Sequence, residues 1–438
     1  MAGRTRRWGM TAGLASAALM AGLMVTPAIA NAEGDFYQPP EVLGGAPGDL
    51  IRTESSDLAI RVPTPDGVFP AQGTRLLYRS NDANGAANAV SGTYLEPSMA
   101  WNGPGERPLI ALAPGTQGQG DQCAPSKALN QVVQYTPPLD LFTEYELVSI
   151  NAMLLQGIAV VVTDYDGLGT PGHHTYVNRA AEAHALLDSV RAAQNLPEAS
   201  IPEDGPVGLF GYSQGGGAVA AAAELAPSYA PELDLVGAYA GAPPADLVAT
   251  LEQIDGTALT GAIGYTINGL VEAYPQLSDV LDAEVNDRGR EMLAAVGNQC
   301  LPETLFRFGF QQTSDYTRTG EPLGVVIGRI PEVQEVIAEQ RIGLRAPRFR
   351  SWCSTAPRTT PCRTVRDGRW RWIGARRRHG AVLPEQHPAD PSRIHRQPCA
   401  AHARRNARGC CVHERSLRGQ ARAVELRRIL ITPNCGAF

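Results

Sequence analysis

Val207-Gly208-Leu209-Phe210-Gly211-Tyr212-Ser213-Gln214-Gly215-Gly216-Gly217-Ala218-Val219-Ala220-Ala221 decides the fold. A short apolar run leads into a G-x-S-x-G turn, and a run of tiny residues leads out of it. That order predicts a strand, a sharp turn and a helix, the context a nucleophile elbow requires. Gly211 and Gly215 supply backbone freedom that a side chain would forbid, and the small residues after them let the helix pack close to the strand. Tyr212 and Ser213 then sit on the tip, with Ser213 the candidate nucleophile. The helix aims its free N–H groups and positive dipole end at whatever the serine attacks, so the Gln214 N–H is a candidate oxyanion donor.

Working outward, residues 75–78 and 89–95 read as neighbouring antiparallel strands around the turn signal Asn84-Gly85. Four further apolar runs, 108–113, 157–162, 206–210 and 235–240, each end in a Gly, Pro or Asp loop and read as buried parallel strands. Between the second and third, residues 178–196 carry a helical apolar face that Pro197 stops. Alternation of this kind means an α/β sheet, with active residues in loops at the carboxyl ends of its strands. Residues 246–338 change character, offering helices at 251–265, 277–296 and 332–340 and no clear strand. They read as a helical cap over the site, or as ordinary flanking helices.

The 438-residue chain is long enough for one large or two moderate domains. It opens with Arg4, Arg6 and Arg7, an apolar run to Val25 and Ala30-Asn31-Ala32, the order of a secretory signal peptide cleaved near Ala32. Residues 1–32 are therefore expected to be removed and the remainder secreted. The apolar run is too short for a comfortable membrane span. The net charge of −6 hides an uneven division, because residues 347–438 hold 20 Arg, no Lys and 5 acidic residues, leaving 18 basic and 39 acidic residues before them. Cysteines divide likewise, with Cys123 and Cys300 alone in the body and six in the tail. In an oxidising compartment the isolated pair forms one disulfide closing a long loop, or else two buried thiols.

Several other residues are candidates for the site. The Gly-rich loop from Pro114 to Cys123 leaves the first buried strand where this architecture places its second oxyanion donor, so Thr116, Gln117 and Gly118 are nominated. Asp164 and Asp166 lack the remaining ligand spacing of a calcium loop and are expected to turn and cap the end of their strand. His173 and His174 have no i, i+4 partner or nearby Cys, so no metal is assigned, and they precede the serine. On this fold the order is Ser, acid, His. Asp246 follows the next strand and is a possible acid, although entry into the cap explains it equally well. Every histidine after Ser213, namely His379, His387, His395, His402 and His413, lies in the Arg-rich tail. The triad Asp and His therefore stay unassigned.

Taken together, Phe36-Tyr37-Gln38-Pro39-Pro40, Pro47-Gly48-Asp49-Leu50-Ile51-Arg52, the Gly-Thr-Gln-Gly loop with Cys123-Ala124-Pro125-Ser126, the stretch from Thr163 to Gly167 and the Ser213 elbow agree in order along the chain. They resemble the secretory lipase family, the group of Candida antarctica lipase A and its actinobacterial relatives, over residues 33–345. The resemblance implies an α/β-hydrolase fold with a helical cap, a Ser-Asp-His triad, a Cys123–Cys300 bridge and hydrolysis of acylglycerols. It implies no cofactor, a lipid or ester as substrate, transient contact with a lipid interface, and a monomer. Acyl-chain binding without catalysis, and acyl transfer to an alcohol, are the alternatives.

After Ala346 the resemblance stops. The family would continue with a buried strand, an H-G-x-x-D-x-x-V-P loop carrying the triad Asp, and a later N-H or G-H segment carrying the His. Here residues 349–366 contain no acidic residue. A third-base offset converts residues 354–363 into H-G-T-A-D-D-T-V-P-Y with permissible codons, and a second-base offset through 383–399 yields Y-P-N-S-I-P-P-I-L-P-G-S-T-V-N-H. An Arg-rich, Lys-free tail is what GC-rich DNA read out of frame produces. Residues 346–438 are accordingly expected to be an aberrant, poorly ordered tail of doubtful reading frame. The competing reading, a basic arm for nucleic acid, lacks a helical stripe of charge and aromatic interleaving beyond Trp370 and Trp372, so no nucleic-acid partner is expected.

Overall fold

A computed structural model describes residues 36–345 except 65, 66 and 138, together with residue 347 and the strand backbones 351–354, 363–366 and 369–372. Residues 1–32, expected to be a signal segment cleaved near Ala32, and the five tail histidines lie outside the described residues.

Eight strands form the main sheet in the order Leu50–Ser56, Ala71–Asn81, Ala87–Pro97, Ala159–Tyr165, Leu109–Ala113, Val207–Tyr212, Leu235–Gly241, Ser351–Ser354. The first three junctions are antiparallel and the remaining four are parallel. Both strands of the expected hairpin are there, Leu76 opposite Gly92 and Tyr78 opposite Val90. The turn between them closes on Asp82, whose carboxylate accepts the Asn84 and Ala86 N–H groups at 2.8 Å, with Gly85 at φ 84°.

Parallel strands buried on both faces need helices on both sides. Helices Arg179–Gln194 and Gln214–Tyr229 cover one face, packing Leu186, Val190, Val219 and Ala222 on Leu109, Val161 and Leu209. The first starts at Asn178, whose side chain accepts the Ala180 and Ala181 N–H groups. Helix Leu147–Leu154 covers the other face against Ile110, Leu112 and Val160. The chain leaves strand Leu109–Ala113 toward one side of the sheet and strand Val207–Tyr212 toward the other. The crevice between their carboxyl ends is the topological switch point, where sheets of this kind bind ligands. This mixed sheet with its helical layers and helical insertion is an α/β-hydrolase fold.

The insertion has its own core, built from Tyr265, Met292, Leu293 and Val296 with Tyr176 from the body. Its helices are shorter than the sequence suggests. The stretch 251–265 is split between Leu247–Ile254 and Ala262–Ala273 because Gly256, at φ 73°, turns the chain between them. The stretch 277–296 divides at Val285 and Asn286, where Asn286 caps the second piece through the Gly289 N–H. Leu301–Phe308 and Leu323–Ile327 are two further helices, outside the helical stretches expected from the sequence. Among the described residues no helix is long and apolar enough to cross a membrane.

Strand backbones continue past residue 345: Ser351–Ser354 runs parallel beside Leu235–Gly241, and a hairpin pairs Arg363–Arg366 with Arg369–Trp372. Ser-Trp-Cys-Ser between arginines lacks the apolar run that marked the other strands, so backbone pairing at a sheet edge escaped the sequence pattern.

Candidate active site

Ser213 stands between its strand and helix at φ 58° and ψ −119°, a left-handed backbone that a non-glycine residue holds only when its surroundings force it. The constraint is visible. The Ser213 N–H donates to the Gly241 carbonyl at 2.9 Å, and the Ser213 carbonyl accepts from Gly217 N at 3.0 Å. A Cβ on Gly215 would lie 1.9 Å from the Ala113 carbonyl oxygen, and one on Gly216 would lie 2.0 Å from that of Gly241. Only glycine lets this helix start so close to its two neighbouring strands. Gly211 is equally crowded, by the Gly215 carbonyl at 2.4 Å. The result is the geometry of a nucleophile elbow, with Tyr212 half-exposed and Ser213 half-buried at the helix head.

The Gln214 side chain is held from behind. Its Nε2 lies 2.7 Å from His174 Nε2 and 2.8 Å from Glu182 Oε1. The amide donates, so the imidazole accepts at Nε2 and carries its proton on Nδ1, which donates to the Asp166 carbonyl at 2.9 Å. Burial pulls the His174 pKa down to about 4, in keeping with that neutral form, and pushes Glu182 up to about 8. His174 thus positions Gln214, a role the sequence pattern did not disclose. Asp164 and Asp166 tie separate loops together. Asp164 accepts from Ser91 Oγ at 2.6 Å and from the Ser126 N–H and hydroxyl; Asp166 accepts from Asn88 and Thr175.

Across the crevice, Thr116 reaches the site and its two neighbours do not. Thr116 lines the cavity beside Ser213 and Gln214. Its hydroxyl meets the Tyr176 hydroxyl at 2.7 Å, and its carbonyl accepts from the Tyr145 hydroxyl at 2.9 Å. Gly115 N donates to Glu146 Oε1 at 3.1 Å. Among the described residues neither the Thr116 nor the Gln214 N–H has a hydrogen-bond partner. Gln117 and Gly118 instead join the cap. The Gln117 carbonyl accepts from Leu301 N at 2.7 Å, and Gly118, at φ 137°, bridges to Cys300. Tyr145 and Glu146, which hold this loop, precede a short helix and carried no motif in the sequence. Burial raises both Glu146 and Glu144, the latter to about 8.

Cys123 and Cys300 are joined by a disulfide across 177 residues, fastening the end of this loop to the cap. Asp140 lies beside the pair and accepts the Cys300 N–H at 2.9 Å. With both sulfurs in the disulfide, no thiolate remains there to ligate a cation.

Above Ser213 opens a cavity of about 670 Å³, walled chiefly by cap side chains such as Leu251, Ile263, Ile267, Leu281, Val326 and Ile337. Among the described residues its wall holds no His and no Asp, and Glu284 is its one acidic group. Asp246 is elsewhere, capping helix Leu247–Ile254 through the Ala249 N–H and paired with Arg341. A chain ordered Ser, acid, His would place its acid after strand Ser351–Ser354, and residues 355–362 are outside those described.

A sheet with a helical cap and a glycine-framed serine at its switch point defines a serine hydrolase of the α/β-hydrolase class. The family profile described as "Secretory lipase" matches residues 134–351. A Mycobacterium tuberculosis protein named probable inactive lipase is 31% identical over 328 residues, 74% of this chain and 69% of that relative. The chain belongs to the secretory lipase family, whose members are serine hydrolases of the triacylglycerol lipase and carboxylesterase type. A secreted triacylglycerol lipase of Malassezia furfur is 28% identical over 71% of this chain, which spans 60% of that protein's length. Candida antarctica lipase A in its closed state superposes with a TM-score of 0.57 at 25% identity, covering 73% of this chain and 72% of the lipase.

Proposed function

We propose that this protein has the body of a secreted serine lipase or carboxylesterase in which Ser213 attacks the carbonyl carbon of a fatty acyl ester. The observation that carries the reading is the placement of Ser213, in its left-handed turn, on the wall of a 670 Å³ apolar cavity. The free N–H groups of Thr116 and Gln214 would hold the oxyanion, the alcohol would leave, and water would release the acyl group from the serine. Gln117 and Gly118, which meet Leu301 and Cys300, then brace the loop against the cap. The cavity walls suit an acyl chain, with Glu284 as their one acidic group among the described residues. Residues 1–32 act as the secretion signal, cleaved near Ala32, residues 246–338 as the cap, and the chain works as a monomer without a cofactor.

Turnover also requires an imidazole to take the serine proton and a carboxylate to orient it. Residues 346–438 supply no segment of the family's pattern for either, and we propose that they record a reading frame broken at least twice. The chain as written is then inactive or nearly so. The test is hydrolysis of p-nitrophenyl esters of short and long acyl chains by the chain as written, with Ser213→Ala as control. Absence of turnover is expected. Turnover abolished by Ser213→Ala would overturn the broken-frame reading, because some group in the present tail would have completed the site.

The absence of a His and an Asp from the described wall of the cavity favours a second reading, an acyl-chain binder without hydrolysis. It predicts binding of a fluorescent fatty acid that survives Ser213→Ala, with no covalent labelling by a fluorophosphonate in either form.

A further inference from the structure

Just before the residues that hold the Thr116 loop, the chain forms a small hairpin, Gln134–Thr136 against Asp140–Phe142, with Tyr135 opposite Leu141. Its inner face is mixed and its outer face apolar. Gln134 and Asp140 are buried beside Phe142 on the inner face, whereas Tyr135 and Leu141 are 60% and 56% exposed on the outer one. A two-stranded ribbon facing water is expected to turn polar residues outward, and a slip of one residue would exchange the faces. Asp140 forbids the slip, because it accepts the Cys300 N–H at 2.9 Å and Gln122 Nε2 at 3.2 Å and so fixes the inner face to the disulfide.

Apolar exposure continues to either side of the ribbon. Val132 is 61% exposed, Leu139 58% and Val148 74%. From residue 131 to 143 the sequence has one charged residue, the buried Asp140. We propose that this hairpin and the exposed edge of the following helix form a docking surface for a lipid interface.

The absence of charge from the outer face matches a hydrocarbon or zwitterionic surface, since a protein partner would be expected to meet a polar rim. A second copy fits poorly. A stable dimer needs about 800 Å² a side, and strands of three residues are too narrow to supply it. Position argues the same way. Tyr145 follows the hairpin with its ring half-exposed and its hydroxyl bonded to the Thr116 carbonyl, and Glu146 takes the Gly115 N–H. The outer face thus ends one side chain away from the loop that walls the cavity beside Ser213. The biological sense of this surface rests on lipid esters being the substrates, but lipid contact is measurable without turnover.

The experiment uses the full chain with phosphatidylcholine vesicles carrying a photoactivatable phosphatidylcholine, at high salt to suppress contacts of the Arg-rich tail. Cross-links are mapped by mass spectrometry. We expect them within residues 132–148, reduced several-fold in the double variant Val132→Ser, Leu141→Ser and in Val148→Ser alone, and unchanged in Ser213→Ala. Cross-links confined to other segments would overturn the proposal. So would cross-links here that neither variant reduces, or a self-association by sedimentation that the double variant abolishes. The Val148→Ser form guards against misfolding of the hairpin pair. Cross-linking that persists in a chain whose residues 354–363 and 383–399 are replaced by the offset-frame sequences, while that chain still fails to hydrolyse esters, would remove the Ser213 reading and leave the docking surface standing.

Discussion

Both backbone groups of Ser213 are held: the Gly241 carbonyl takes its N–H, Gly217 binds its carbonyl, and three glycines admit main chain where no Cβ would fit. Two strands further along the same sheet, past Ser351–Ser354, the sequence runs Thr355-Ala356-Pro357-Arg358-Thr359-Thr360 where the fold would put its acid. The nucleophile side of the site belongs to the core, since the helix that carries it also buries Val219 and Ala222 against the central strands. The acid and base would come from later loops, which the core does not require. A chain of this fold can therefore keep a complete nucleophile turn whatever becomes of the loops that activate it.

The strongest way to break this contrast is to restore the tail. Replacing residues 354–363 and 383–399 by the sequences of the offset frames, H-G-T-A-D-D-T-V-P-Y and Y-P-N-S-I-P-P-I-L-P-G-S-T-V-N-H, returns an acid and a histidine in the required order. Loss of triad members in serine hydrolases costs roughly 10⁴-fold or more in rate. A gain of that order in ester hydrolysis, lost again in Ser213→Ala, is the expected result. If the restored protein stays inert although folded, the nucleophile side is not what its geometry suggests.

The disulfide asks whether the oxyanion side needs the cap. Cys123→Ala with Cys300→Ala opens a loop of 177 residues, and such a loss costs about 2–5 kcal/mol. A lowered denaturant midpoint is expected, together with slower labelling of Ser213 in the restored protein, because Gly118 and Gln117 meet the cap beside Cys300. An unchanged midpoint would mean that those backbone contacts suffice alone.

How much of this was legible follows the same division. The G-x-S-x-G turn, the four parallel strands and the hairpin around Asn84-Gly85 could be read because each is local: an apolar run, a glycine and a turn residue in fixed order. The clamp on Thr116 could not, since Tyr145, Glu146 and Tyr176 reach it from 29 to 60 residues away. For the same reason Gln117 and Gly118 looked equivalent to Thr116, although their contacts with Leu301 and Cys300 turn them toward the cap. His174 looked inert because its partner, Gln214, is 40 residues on. The edge strand Ser351–Ser354 carries too few apolar residues to have been found.

Glu182 gives a smaller effect on the nucleophile side, and its sign is determined. Burial raises its pKa from 4.5 to about 8, so between those values the folded state holds a proton that the unfolded state has released. Stability then falls as pH rises through that window and levels off above about 8. Glu182→Gln keeps an oxygen for Val177 N and Gln214 and removes the titration. The pH dependence of the unfolding free energy should become shallower between 4.5 and 8 without vanishing, since Glu144 titrates in the same window. An unaltered slope would show that Glu182 ionises in place without penalty.

Asp246→Asn should produce the least change and settles the remaining candidate for the acid. Asparagine caps a helix about as well as aspartate, so the Ala249 N–H keeps its acceptor and only the pairing with Arg341 is weakened. That pair is partly exposed and worth about 0–1 kcal/mol. If the acid of the site comes from the restored loop after Ser351–Ser354, the variant in the restored background should hydrolyse esters at the parent rate with a nearly unchanged melting temperature. A fall of several orders of magnitude in kcat at intact stability would move the acid to the strand next to the elbow. The two sides of the site would then share one loop region of the core, and the contrast between them would no longer hold.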